Sequence, residues 1–267
     1  MKSRILVSVV GVPLILVVVL WAPIWVMTAF LTALSAIAAW ELMHCVGAQE
    51  HKLLCFMAIA GAAFSLGFAY FKVYIYSELV VLYALLVFSY AVFRGGEVKF
   101  QQIMAALFAM FIVPYSFATF LRLSAAGFHR GVLLLPLLFS FGSDTFAFFA
   151  GRALGRHKLA PKVSPHKTVE GSVGGLVGDA LCGLAFAFVM NRFFNCSISY
   201  GGIVLLGLAC SVAAQLGDLS FSLIKREFGI KDYGHIFLEH GGVLDRFDSV
   251  LFVAPVLGVV MGLLQVA

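Results

Sequence analysis

Charge is what this sequence has least of. Only 12% of its 267 residues are Asp, Glu, Lys or Arg, while 62% are hydrophobic. A water-soluble domain carries about 25% charged and about 45–50% apolar residues, so this composition excludes a soluble globular fold and leaves a polytopic membrane protein. Paired cysteines are also lacking. Cys45, Cys55, Cys182, Cys196 and Cys210 form no C-x-x-C pair. That argues against a disulfide framework or a thiolate zinc site and leaves buried thiols acting as small apolar groups. Period-two alternation is missing, which excludes barrel strands as the spanning element. No basic–aromatic RNA or DNA module stands out, so the net charge of +5 does not point to nucleic acid. No repeat of fixed period is visible.

What is present is a series of long apolar runs. They cover residues 5–20, 24–44, 53–70, 73–93, 103–121, 132–151, 172–190, 203–224 and 249–266. A helical span needs about 20 mostly apolar residues, so these runs predict about nine transmembrane helices. The first run is not read as a cleaved signal peptide, because Trp21-Ala22-Pro23 leads straight into another span. With nine spans the termini lie on opposite sides. A cytoplasmic N-terminus puts 14 of the 18 Lys and Arg residues inside and leaves Lys72, Arg122, Arg130 and Arg192 outside. The expected fold is therefore all-α and polytopic, N-terminus cytoplasmic and C-terminus outside.

The two halves differ in character. Residues 1–125 are nearly featureless and read as a transmembrane scaffold; Glu41 and His44 end the second run and Glu78 lies in the fourth. Residues 126–267 read as the catalytic region. Asp144, Asp179 and Asp218 fall within apolar runs there. A charged side chain at the bilayer centre costs about 2.5–3.5 kcal/mol on insertion scales, less near a helix end. An acid kept at that cost is a functional candidate by default, and helix-to-helix hydrogen bonding is the plainer alternative.

The polar segments of this half are specific. The loop after the sixth run carries Arg152, Arg156, His157, Lys158, Lys162, His166 and Lys167. Positive-inside bias and anionic lipid account for most of this charge. Ser164-Pro165 resembles a capped helix start, with free N–H groups and Lys167 aimed at an anion. Asp218, Ser222 and Lys225 are spaced i, i+4, i+7, so one helix face carries an acid, a hydroxyl and an ammonium. Further on, His240-Gly241-Gly242-Val243-Leu244-Asp245-Arg246-Phe247-Asp248 packs a histidine, two glycines, two acids and an arginine into nine residues. The glycines allow close backbone approach. Asp245 and Asp248, at i and i+3, can share a face. They either cap a helix or fit Mg²⁺ held by one or two carboxylates plus substrate phosphates.

Together, Ser222-Leu223-Ile224-Lys225-Arg226, Lys231-Asp232-Tyr233-Gly234-His235 and the His240 to Asp248 stretch resemble the signature of the phosphatidate cytidylyltransferases, also called CDP-diacylglycerol synthases. Upstream, Asp144-Thr145, Phe149-Ala150-Gly151-Arg152 and the run from Gly155 to Gly171 are similar to the same family. The likeness runs from Asp144 to Asp248. It departs at Phe237-Leu238-Glu239, where the family commonly has proline or glycine before His-Gly-Gly, and at Val169, where it commonly has tryptophan.

The resemblance implies transfer of cytidylate from CTP to phosphatidate, giving CDP-diacylglycerol and pyrophosphate in phospholipid biosynthesis. It implies Mg²⁺, often with a monovalent cation such as K⁺, and a homodimer in a bacterial inner membrane with its active site facing the cytoplasm. By the same resemblance, Asp218 and Asp245 match the metal-associated acids, and Asp218, Asp245, Lys225 and Asp248 form the catalytic set. Asp144, Lys167, Ser222, Arg226, His240, Gly241, Gly242 and Arg246 surround the nucleotide and the lipid phosphate. Two other readings stay open at this point. A CTP-dependent polyprenol or phytol kinase would also unite nucleotide, metal and lipid. A transporter would use intramembrane acids as a cation path, although inverted repeats are not evident.

Overall fold

The computed structural model describes residues 2–70, 76–236 and 241–264. Among these residues nine α-helices follow one another: α1 (Lys2–Leu20), α2 (Ile24–Cys45), α3 (Lys52–Tyr70), α4 (Tyr76–Phe93), α5 (Phe100–Ala125), α6 (Leu135–Leu154), α7 (Val169–Phe193), α8 (Tyr200–Glu227) and α9 (Val243–Leu264). A 3₁₀ turn at Arg130–Leu134 leads into α6, and a two-stranded hairpin, β1 (Lys158–Ala160) and β2 (Ser164–Thr168), joins α6 to α7. Among the described residues six segments are long and apolar enough to cross a membrane: Ile24–Cys45, Phe100–Ala125, Arg130–Leu154, Val169–Phe193, Tyr200–Glu227 and Val243–Leu263. The protein is an all-α polytopic membrane protein. Pro114 in α5 and Pro255 in α9 lie within two of these segments. Such prolines are tolerated because neighbouring groups satisfy the freed carbonyls.

The chain divides into two compact units, residues 1–125 with 227–247, and residues 126–226 with 248–267. In the first unit α2, α3 and α5 pack on one another, and α4 lies against α5 and α3. Their contacts are made through small residues. Ala38, Ala39, Ala58, Ala62, Ala106 and Ala109 are fully buried. In lipid there is no hydrophobic drive between helices, so close backbone approach and cross-helix hydrogen bonds supply the adhesion. Ser35 donates to the Ala62 carbonyl at 3.4 Å, Ser65 to the Met110 carbonyl at 3.0 Å, and Tyr83 to the Ala106 carbonyl at 3.4 Å.

The second unit is built around the α6–α7 pair. On α7 the outward residues are Val173, Val177, Leu181 and Phe188, while Gly171, Gly175, Gly178, Asp179 and Gly183 are buried. This is a helix with an apolar outside and a small or polar inside, the reverse of a helix in water. Glycine is required at Gly178, where a Cβ would sit 2.2 Å from the Phe146 ring of α6. A polar chain then links three helices. The hydroxyls of Ser143 (α6) and Ser211 (α8) are 2.8 Å apart, Ser172 (α7) hydrogen-bonds to the Gln215 side chain (α8), and Gln215 Nε2 donates to the Ser172 carbonyl at 3.1 Å.

The connection between α6 and α7 differs from the sequence expectation. Ser164-Pro165 does not start a helix; both residues belong to β2, which pairs antiparallel with β1 in the register Lys158 with Thr168 and Ala160 with Ser164. Helix α7 starts at Val169, and Thr168 is its cap, its hydroxyl accepting from Gly171 N at 3.1 Å. Every strand of a two-stranded ribbon is an edge, where a proline such as Pro165 is tolerated. Glu170 closes the hairpin base by accepting from the backbone N–H of Arg156 at 3.0 Å and of His157 at 3.2 Å.

Candidate active site

In the second unit a cavity of about 430 Å³ opens where α6, the hairpin, α7 and α8 meet. Asp144, Phe148 and Arg152 reach it from α6, His166, Lys167 and Thr168 from β2, Ser172 from α7, and Gln215 and Asp218 from α8. Three residues expected in the site, Asp144, Lys167 and Asp218, thus line one space. Lys167 and Asp218 form an ion pair, with side chains 22% and 25% exposed. Both ends remain reachable by a substrate, which distinguishes the pair from a sealed structural one.

Asp218 also accepts from Ser222 Oγ at 3.2 Å, so the acid and the serine share a helix face. Asp144 is tied to α9, where Ser249 Oγ donates to its Oδ2 at 3.3 Å. Ser249 N donates to Asp248 Oδ1 at 2.7 Å, so one serine is held between two acids. Asp248 lies within electrostatic reach of Asp218, Asp144 and Lys225. Glycine makes this approach possible: a Cβ on Gly217 of α8 would meet the Asp248 carbonyl oxygen at 2.8 Å. Asp144, Asp218 and Asp248 therefore gather in one unit with Lys167 and Lys225. Arg226 Nε donates to the Val163 carbonyl at 3.4 Å, which ties the end of α8 to the hairpin turn.

Asp179 sits apart from the cavity lining. It is fully buried on α7, and neither of its oxygens meets a hydrogen-bond partner by distance and angle. The Ser211 hydroxyl beside it is engaged with Ser143.

The remaining expected residues belong to the first unit. Gly241 takes a positive φ of 81°, the left-handed region where a side chain would be strained. Asp245 Oδ2 accepts from Gly242 N at 2.9 Å and Tyr233 N at 2.7 Å, closing the loop back on the start of α9. Arg246 is exposed. His240 lies outside the described residues.

Sequence reasoning missed several participants. Gln215, Ser172 and Ser249 are uncharged, and an uncharged polar residue in an apolar run gives a weak signal. Glu41 is the larger omission. It is fully buried on α2 and accepts from Val243 N at 2.9 Å and Leu244 N at 2.8 Å. The signal was available, since an acid in an apolar run is a functional candidate wherever it falls.

The acids, hydroxyls and lysines above set hard oxygen donors beside cationic groups. Comparison with known proteins gives the chemistry a family. The model of the Cytidylyltransferase family matches residues 2–264. A phosphatidate cytidylyltransferase of Staphylococcus aureus is 30% identical over 270 residues, covering 98% of this chain and 99% of the relative. Phosphatidate cytidylyltransferases of Staphylococcus haemolyticus and Staphylococcus saprophyticus are each 36% identical over 182 residues, 68% of this chain and 68% of each relative. Match and motif together make the chain a nucleotidyltransferase, and it belongs to the cytidylyltransferase family of phospholipid biosynthesis.

Proposed function

We propose that the protein transfers cytidylate from CTP to phosphatidate at the cytoplasmic face of a bacterial inner membrane, releasing pyrophosphate. The carrying observation is the cavity in which Asp144, Lys167 and Asp218 converge, in a chain whose relatives are named phosphatidate cytidylyltransferases. With nine spans, the Lys and Arg distribution favours an N-terminus inside, which turns the basic hairpin toward the cytoplasm. A homodimer is proposed on family resemblance.

Chemically, a phosphate oxygen of the lipid forms a bond to the α-phosphorus of CTP while the bond from that phosphorus to the bridging oxygen of pyrophosphate breaks. A phosphate is already a nucleophile at neutral pH, so no strong base is needed. The obstacle is the mutual repulsion of two polyanions. Positioning and charge stabilisation carry most of such a transfer. Lys167, Lys225, Arg226 and Arg246 are the cations assigned to the phosphates. Asp144 and Ser222 are assigned to orienting them. In a water-poor site each charge contact is stronger than in bulk solvent.

The donor set fits Mg²⁺. Among the described residues no group of three or more His, Cys, Asp and Glu side chains forms a metal cage. Mg²⁺ characteristically takes one or two carboxylates plus substrate phosphates instead of an all-protein cage. By family resemblance Asp218 and Asp245, one acid from each unit, are the residues assigned to it, with K⁺ as an accompanying ion. Both acids are already hydrogen-bonded, as ligating carboxylates usually are. When bound, the ion would neutralise phosphate charge and polarise phosphoryl oxygens.

The test uses purified protein in detergent with phosphatidate, Mg²⁺ and CTP labelled either in the cytidine or in the γ-phosphate. Cytidine on the lipid with stoichiometric pyrophosphate is the expected result. Label from the γ-phosphate alone would make the protein a lipid kinase. No CTP use, with ion flux across liposomes, would make it a transporter.

A further inference from the structure

Within the first unit, the beginning of α9 is held by two carboxylates. The early N–H groups of a helix have no partner inside the helix and need one from elsewhere. Here Gly242 N is taken by Asp245 Oδ2, Val243 N by Glu41 Oε1 and Leu244 N by Glu41 Oε2. Helix caps ordinarily come from a neighbouring Ser, Thr, Asp or Asn. Glu41 reaches Val243 and Leu244 from 202 and 203 residues away in sequence.

The loop is shaped around this carboxylate. A Cβ on Gly242 would sit 2.2 Å from Glu41 Oε1, and one on Gly234 would sit 2.6 Å from the same atom. The second glycine of the His-Gly-Gly motif is thus absent of side chain because Glu41 occupies that space. Two successive N–H groups bound to the two oxygens of one planar carboxylate fix where α9 begins and also how far it is rotated about its axis. At about 3.6 residues per turn, that rotation sets the directions in which Asp245 and Arg246 leave the helix.

We propose that Glu41 is a positioning residue for the transfer reaction, acting from α2 on the first turn of α9 and through it on Asp245. This rests on the cytidylyltransferase reading above. Glu41 touches neither substrate in this assignment. It belongs to the outer layer whose hydrogen bonds orient a metal-bearing acid.

The experiment compares wild-type protein with Glu41→Gln, Glu41→Asp and Gly242→Ala, using hydrogen exchange of the 241–247 amides alongside steady-state kinetics over a Mg²⁺ series. Glutamine keeps the volume but turns an N–H₂ toward a backbone donor. Aspartate is one methylene too short to reach both groups. Alanine at 242 pushes into the carboxylate from the other side. Faster exchange confined to 241–247 is expected in all three variants. For Glu41→Gln, kcat should fall about 10–100-fold and half-maximal activity should need more Mg²⁺, as for outer partners of metal-bound acids generally. Excess Mg²⁺ should restore part of the rate. Unchanged exchange in Glu41→Gln would overturn the inference. So would faster exchange spread evenly over α2, α3 and α5 with a rate loss that Mg²⁺ does not relieve, because Glu41 would then be structural only. Inactive wild-type protein with Glu41-dependent exchange would overturn the reaction and leave the clamp standing; active wild-type protein with Glu41-independent exchange would do the reverse.

Discussion

Two pairs of carboxylates, one pair in each unit, are used differently. In the first, Glu41 and Asp245 accept from the backbone N–H groups of Tyr233, Gly242, Val243 and Leu244. In the second, Asp144 and Asp218 are met by side chains, the hydroxyls of Ser249 and Ser222 and the ammonium of Lys167. Backbone donors are fixed by the helix and loop that carry them. A lysine or a hydroxyl can rotate away and be replaced by a ligand. The contrast separates acids that build a helix start from acids that can exchange partners with an incoming phosphate or cation. Asp245 is the informative exception, since it is built into the first group and assigned to the second by family resemblance.

The largest expected effect is at Asp218, whose partners are all exchangeable. Asp218→Asn keeps the volume and an acceptor for Ser222 but removes the charge that faces Lys167. It should lower Mg²⁺-dependent transfer about a hundredfold or more while the protein still inserts and purifies. Near-wild-type turnover with purified lipid and CTP would remove Asp218 from the metal role. Asp245→Asn sharpens the comparison further. The amide oxygen can still accept from Gly242 and Tyr233, so the loop is expected to survive, with a melting temperature close to wild type. Loss of transfer with the fold intact would make Asp245 more than a cap. Full activity in this variant would leave it a cap and nothing else.

Lys167→Ala comes next. It removes the cation from Asp218 and, on the proposed assignment, one hold on a substrate phosphate. The KM for CTP or for phosphatidate should rise about tenfold, the order of one charge-assisted hydrogen bond. Titrating each substrate at saturating levels of the other identifies which phosphate Lys167 serves. If both KM values stay unchanged, Lys167 is not part of the binding surface.

How much of this was legible beforehand depends on the length scale of the signal. The helices follow the apolar runs closely, because a run of about 20 residues has few other ways to satisfy its backbone in a bilayer. The i, i+4 relation of Asp218 and Ser222 was legible for the same reason, since helical periodicity fixes which residues share a face. The hairpin was not. Strands of three and five residues are too short to carry a period, and Pro165 fits a helix start as readily as an edge strand. The start of α7 at Val169 is set by pairing across the hairpin and by the Glu170 contacts, neither of which appears in local sequence. Glu41 was overlooked because its partners are backbone groups distant in the chain. A backbone donor leaves no mark in sequence beyond the small residues that make room for its acceptor, here Gly234 and Gly242.

The smallest expected effect lies at Thr168, the boundary between hairpin and helix. Its hydroxyl caps α7 through Gly171 N, and the side chain is almost entirely buried beside Gly151 and Gly155. Thr168→Ala removes the acceptor and leaves a buried N–H to find another. Losing a cap of this kind costs about 1 kcal/mol. In a chain of this size that corresponds to a drop of about 2–4 °C in melting temperature. Thr168→Ser keeps the hydroxyl and should recover most of the difference. The pair also bears on the contrast between the units. Thr168 holds a backbone donor, as Glu41 does, yet its residue lines the cavity, as Lys167 does. If Thr168→Ser restores stability and the KM for both substrates stays at the wild-type value in both variants, Thr168 belongs with the groups that build. If KM rises in Thr168→Ala and returns in Thr168→Ser, the cap itself sets the position of Lys167 one residue before it, and building and binding are coupled at this residue.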